Sequence, residues 1–344
     1  ELRSLISDLS SWSITPQGYP LSGDRSILIP LENALRISNY PYPIRAIKIK
    51  GIVNRQNGRI IEPPSLREYF GRGRPDFIYD FTPQGRVIRR RSSAHPTGFM
   101  LLADAEREYL ATKQALLSFQ SSFYGIALPL GYGEYIGLKF RGKRLGFVIA
   151  GLPTENDLRF RDYLDGMHLQ KDKDDFLKDI LPKCQIIGRA LRAFHEAGWI
   201  HSFPHLGNFA FVDNKVYIYD LENAFRREGL SFAQLVGYLF LDLCCALNSI
   251  PRYCSYEQAQ AFLKGYFYDL DSELFKLGDI YRKLDLLFQR INDMAGFPCR
   301  FFNGIISFFQ KIFRIPNAKN NFYPLEYNSG FISLVRKIAE NIYS

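Results

Sequence analysis

"HSFPHLGNFAFVDNKVYIYDLEN", residues 201–223, opens on a loop bent by Pro204 and Gly207 and closes on the acidic end of a β-type run. The apolar segments "NFAFV" and "KVYIYDLE" flank the turn "DNK", so the stretch reads as a short hairpin. Its two shoulders carry Asn208 and Asp220. An amide oxygen and a carboxylate across a hairpin are hard oxygen donors of the kind Mg²⁺ takes, and such a pair can bridge the oxygens of a triphosphate. Glu222 adds a charge. Taken alone, Asp220 reads as a turn-capping aspartate, and it is the pairing with Asn208 that favours the metal. His201 and His205 could act as acid/base groups or ligands, although two histidines four apart in a loop more often have structural hydrogen-bonding roles.

Upstream of the hairpin, "DFLKDILPKCQIIGRALRAFHEAG" is amphipathic and closes on Gly198, a helix stop signal. Downstream, from about residue 229, helical patterns dominate. "LSFAQLVGYLFLDLCCALNSI" (230–250) is long enough to span a bilayer, but Gln234, Asp242 and Asn248 are costly there, so it reads as a buried helix. "FFNGIISFFQKIFRI" (301–315) reads as an amphipathic helix that faces the core or offers a docking surface to a partner.

The first part of the chain alternates strand-like runs with turn signals. "RSILIPL" and "IRAIKIKGIV" are rich in β-branched residues. A segment dense in Gly, Pro and Arg follows, from about 54 to 97, with "DFIYDF" as a strand candidate. Next comes a single helix over about 101–119, and then two or three strands that end at Gly151. The expectation is an α+β chain of two lobes, a β-rich one over 1–151 and a helical one over 152–344 that holds the hairpin.

At 344 residues the chain is long enough for two lobes with buried cores. The net charge of +9 favours anionic partners, and much of it sits in "REYFGRGRP" and "GRVIRRRSS". There Arg72, Arg74, Arg86, Arg89, Arg90 and Arg91 offer planar, bidentate donors suited to phosphate, unless the segment is simply a solvated basic loop. Five cysteines in no CxxC or zinc-like spacing favour a reducing, cytoplasmic setting. The start at Glu1 leaves open a removed leader.

Two more places carry chemistry. Lys50, in "IKIKG", ends an early strand, and the following glycine allows close backbone approach; Lys48 shares its face, so spacing does not choose between them. Glu108, in "AEREYLA", lies on the next helix, where a carboxylate can hold a strand lysine. Glu106 competes, but two residues apart on a helix the two point differently and only one can face the lysine.

A strand lysine, a helix glutamate, a loop ending in asparagine and a strand-end aspartate, in this order, resemble the protein-kinase-like superfold over about residues 27–250. Its catalytic loop H-x-D-x-x-x-x-N matches at His201 and Asn208, but Phe203 stands in place of the aspartate. "HSFPHLGN" is also similar to the HGDLHPGN loop of aminoglycoside phosphotransferases, at His205 and Gly207 as well. In the first lobe, "IKIKG", "GRVIRRRSS" and "EREYLATKQAL" resemble selenoprotein O, the kinase-fold protein adenylyltransferase, and nominate Lys50 over Lys48 and Glu108 over Glu106. That family lacks the loop aspartate and keeps an asparagine and an aspartate for metal, which correspond to Asn208 and Asp220. Its arginine-rich segment binds an inverted nucleotide, and AMP moves to a protein Ser, Thr or Tyr. Two departures stand out. Gly207 replaces an acidic residue, and no Gly-x-Gly-x-x-Gly loop is present.

The resemblance therefore implies an ATP- and Mg²⁺- (or Mn²⁺-) dependent transferase that moves AMP or phosphate to a protein hydroxyl; His205 is added to it as a candidate base. A pseudokinase that acts as a nucleotide-responsive binding module is the second expectation, and a small-molecule phosphotransferase the third. Neither nucleic acid nor membrane is an expected partner.

Overall fold

The computed structural model describes residues 26–38, 40, 42–51, 55–56, 59–60, 77–85, 87–91, 100–119, 124–155, 159–168, 172–212, 215–250, 255–270 and 329–343. The fold is α+β, with a sheet-rich N-terminal part and a helical C-terminal part. The chain divides into two compact units. One is built from Glu1–Phe77, Arg91–Leu158 and Ala210–Ala224, the other from Ile78–Arg90, Arg159–Phe209 and Phe225–Ser344.

The strands in chain order are β1 (Ser26–Leu35), β2 (Ile44–Lys50), β3 (Arg55–Gln56), β4 (Arg59–Ile60), β5 (Phe77–Phe81), β6 (Val87–Arg91), β7 (Met100–Leu101), β8 (Tyr124–Ile126), β9 (Leu128–Phe140), β10 (Lys143–Leu152), β11 (Trp199–Ile200), β12 (Phe209–Val212), β13 (Lys215–Ile218) and β14 (Phe225–Arg226). The described helices are α1 (Leu102–Ser118), α2 (Phe160–His168), α3 (Lys173–Glu196), α4 (Phe232–Asn248), α5 (Ser255–Tyr266) and α6 (Ser329–Tyr343). "DFIYDF" thus contains a strand, and the 230–250 stretch holds α4. The 301–315 segment lies outside the described residues.

In the first unit an antiparallel sheet runs β1-β2-β10-β7, with β9 paired to β10. Alternation sorts its residues by face. Ile27, Ile29, Ile47, Ile49 and Ile149 share one buried cluster, while Leu28 and Ala46 pack with Tyr217 and Tyr219 on the other side. Lys48 and Lys50 follow Ala46 at period two, so both share the face that meets the 210–224 segment. Gly51 follows at φ +89°, and a Cβ there would lie 2.8 Å from the carbonyl oxygen of Gly146, so the sequence I-K-G is needed for β2 to leave the sheet beside Lys50. Helix α1 buries Asp104, Ala105, Glu108, Ala111 and Ala115, a stripe of mostly small residues that lets it lie close, and Ala105 packs with Val148 of the sheet.

The 210–224 segment reaches the same unit through β13, which pairs in parallel with β8 and in sheet order follows β12. Lys215 opens β13 and is buried; its Nζ donates to the Tyr42 hydroxyl and stands 3.8 Å from the centre of that ring. Burial pulls its ammonium down to about 8 from 10.5. Below about pH 8 both folded and unfolded chains carry this proton. Above it the folded amine is neutral while the unfolded one is still charged, so the unfolded chain binds more protons and stability rises with pH towards about 10. Lys215→Met should remove that rise. Denaturation midpoints of the two proteins over this window check it, and parallel curves would contradict it.

In the second unit Asp172 caps α3 by accepting from the Asp175 N–H at 2.9 Å, and Gly198 follows the helix at φ +87°. Ser231 and Gln234 form a capping box on α4, which buries Leu235, Val236, Leu239 and Leu243. Among the described residues no helix is long and apolar enough to cross a membrane.

Candidate functional site

Strand β2 ends with Lys50 aimed at the buried stripe of α1, where Glu108 offers a carboxylate. Lys50 Nζ donates to Glu108 Oε2 at 2.7 Å, to Asp220 Oδ1, and to Glu222 Oε2 at 3.3 Å. The alternatives resolve by geometry. Lys48 points its ammonium over the Tyr219 ring, 5.8 Å from the centre, and exposed Glu106 accepts from the Tyr132 hydroxyl at 2.9 Å.

The acidic side comes from the end of β13. Asp220 has left-handed backbone angles (φ 61°, ψ 57°) and begins the 3₁₀ turn Leu221–Asn223. Non-glycine residues seldom adopt that conformation, aspartate more readily than most. It brings Asp220 and Glu222 to the same ammonium. Carboxylate oxygens of Glu108, Asp220 and Glu222 lie within 4.8 Å of one another. Three carboxylates face one ammonium, and the side chains are largely buried, from 10% exposed for Lys50 to 25% for Asp220. Burial pushes the Glu108 carboxyl above the usual range; Lys50 opposes this, while Asp220 and Glu222 push the same way. A cluster with surplus negative charge and hard oxygen donors fits Mg²⁺ or Mn²⁺ well.

The 201–208 loop belongs to the second unit and is held there residue by residue. Asp242 of α4, fully buried, accepts from the His201 N–H at 2.9 Å, and its Oδ2 lies 3.0 Å from His195 Nε2. His195 Nδ1 meets the Tyr266 hydroxyl at 2.7 Å. Ser202 takes a positive φ of 68°. Asn208 is buried and its Nδ2 donates to the carbonyl of Phe203 at 2.9 Å, which directs Oδ1 away from that carbonyl. His205 Nδ1 accepts from the Gly207 N–H at 3.0 Å, so the neutral ring carries its proton on Nε2. Phe203 is 39% exposed and packs edge-on against the His205 ring, with centres 5.0 Å apart. Asp242→Asn keeps the shape but weakens the bonds to His201 and His195, so it should cost about 1–2 kcal/mol in chemical denaturation.

Arg72, Arg74 and Arg86 lie outside the described residues, as do the side chains of Arg89, Arg90 and Arg91 on β6. The sequence reading missed two residues. Arg107 donates through Nε to the carbonyl of Glu222 at 2.7 Å, and Asp242 anchors the loop. Asp242 had a signal, since a lone acid in an apolar helix needs buried partners.

No protein-family model matches the sequence, and no curated protein matches it. Among solved structures, the chain is similar to WaaP in complex with acyl carrier protein at 16% identity, covering 67% of this chain and 97% of that one with a TM-score of 0.34. It is similar to a Neurospora crassa PAN3 pseudokinase mutant at 14% identity over 98% of this chain and 89% of that one, with a TM-score of 0.28. Similarity to the MAP kinase LmaMPK10 from Leishmania major is 14% over 98% of this chain and 81% of that one, with a TM-score of 0.31.

Proposed function

We propose that this chain is a kinase-like transferase that uses ATP and Mg²⁺ or Mn²⁺ to move AMP or phosphate to a protein hydroxyl. The observation that carries this reading is the Lys50 ammonium, held by Glu108 and shared with Asp220 and Glu222. A buried lysine among three carboxylates is a poor choice for stability alone, because desolvation cancels most of what such a pair gains. It is a good choice for a phosphate site, where positioned cations and metal do most of the catalytic work. Lys50 holds phosphate oxygens and Glu108 fixes its direction. Asp220 supplies a carboxylate for the metal, with Glu222 beside it. When bound, the metal neutralises phosphate charge. The nucleotide clamp is drawn from Arg72, Arg74, Arg86, Arg89, Arg90 and Arg91.

A loose phosphoryl-transfer state depends less on a base than on alignment and charge. Phe203 is therefore compatible with transfer. His205 is a base only when Gly207 releases Nδ1.

Phe203 also favours a second reading, a pseudokinase that binds nucleotide and acts by contacts, since phenylalanine neither orients a hydroxyl nor takes its proton. Incubation with Mg²⁺ and ATP labelled separately at the α and γ positions separates the readings. Protein-bound label from α alone means AMP transfer, and from γ alone phosphorylation. A Mg²⁺-ATP thermal shift without transfer favours the second reading. Neither shift nor transfer would sink both.

A further inference from the structure

We infer that Arg107 is a positioning residue, a clasp that keeps helix α1 docked on the 220–223 turn when Lys50 turns from Asp220 and Glu222 to a bound phosphate. Lys50 ties Glu108 of α1 to Asp220 and Glu222 of the turn. This inference rests on the reading of that cluster as a phosphate and metal site, because there Lys50 must share or give up those bonds. Once its ammonium no longer bridges them, the Glu108 carboxylate on the helix faces two like charges on the turn at close range, and helix and turn repel.

Arg107 supplies a contact that does not depend on Lys50. It is the residue before Glu108, so any shift of α1 that moves one moves the other. Its Nε donates to the main-chain carbonyl of Glu222 at 2.7 Å. Its Nη2 pairs with Asp104, one helical turn back, which is 9% exposed and so aims the guanidinium. A backbone carbonyl is a telling target. The bond reads the path of the turn and leaves the Glu222 carboxylate available to Lys50 or a cation. It also braces a turn that starts from the left-handed Asp220. The Arg107 side chain is itself 51% exposed, so the clasp is not part of the core and its loss leaves the fold intact.

The clasp and Lys50 are thus two parallel ties between the same elements, and parallel ties fail non-additively. Amide hydrogen exchange over residues 104–115 of the full chain, in wild type, Arg107→Ala, Lys50→Met and the double variant, tests this directly. Each single variant should raise exchange only a few-fold, and the double should raise it about ten-fold beyond the product of the singles. A double variant that equals the product of the singles overturns the clasp.

A second readout separates positioning from mere structure. Mn²⁺-ATP affinity, measured by electron paramagnetic resonance titration, should fall about ten-fold in Arg107→Ala and recover in part in Arg107→Lys, with melting temperature nearly unchanged. Unchanged affinity in Arg107→Ala also overturns the inference. If wild type binds no Mn²⁺-ATP, the functional reading fails, and the exchange experiment still decides whether the clasp exists.

Discussion

Asp220→Ala will abolish whichever label, α or γ, wild type transfers, by about 100-fold or more. The loss will be chemical, because the variant should fold. Lys50 retains Glu108 at 2.7 Å and Glu222 at 3.3 Å, so no buried ammonium is stranded. Removing one of three crowded carboxylates also relieves repulsion on Glu108. Against this stands the poorer fit of alanine at φ 61°, which costs about 1 kcal/mol more than aspartate at most. Melting curves near wild type together with lost transfer are the expected pair. Retained transfer would remove Asp220 from the site.

Gly188→Ala and Gly265→Ala will each destabilise the protein by about 3 kcal/mol or more. A Cβ on Gly188 of α3 would lie 2.0 Å from the carbonyl oxygen of Phe262, and one on Gly265 of α5 would lie 1.9 Å from that of Gln185. Each obstacle is backbone, so no rotamer change relieves it and the helices must part. Parting them pulls on the buried contacts around Phe262 and Tyr266, including the Tyr266 hydroxyl bond to His195 and the Arg192 bond to the Tyr266 carbonyl. The His195–Asp242 link then carries the strain to the 201–208 loop. Gly166→Ala in α2 is the control, since nothing lies within 4 Å of its Cβ. It should be neutral or stabilising by up to about 1 kcal/mol. Urea midpoints with unchanged slopes check all three.

Much of this site was legible because it obeys two periodicities. Alternation along β2 placed Lys48 and Lys50 on one face, but nothing local distinguished them. The choice depends on where α1 and Tyr219 sit, which is tertiary. Glu108 and Glu106 were likewise left open by the residues alone, and the resemblance to selenoprotein O nominated Glu108. Glu108 falls in line with Ala105, Ala111 and Ala115, a stripe whose small residues mark the side that lies against the sheet. The hairpin was clear from its turn and strands, and Asp220 followed from its end.

Other features had no local trace. The Arg107 bond goes to a main-chain carbonyl far along the chain, and a half-exposed helix arginine looks like any solvated charge. The Asp242 anchor was visible only as an oddity in an apolar helix. The local bond from Gly207 to His205 Nδ1 needed the loop's actual path.

The central claim is that the Lys50 cluster is a metal–nucleotide site. Calorimetric titration of wild type and Lys50→Met with ATP, with and without Mg²⁺, tests it most directly. Wild type should bind only with Mg²⁺, and Lys50→Met should bind about ten-fold more weakly or not at all while still folded. Equal affinity in both proteins, or binding indifferent to Mg²⁺, would contradict it.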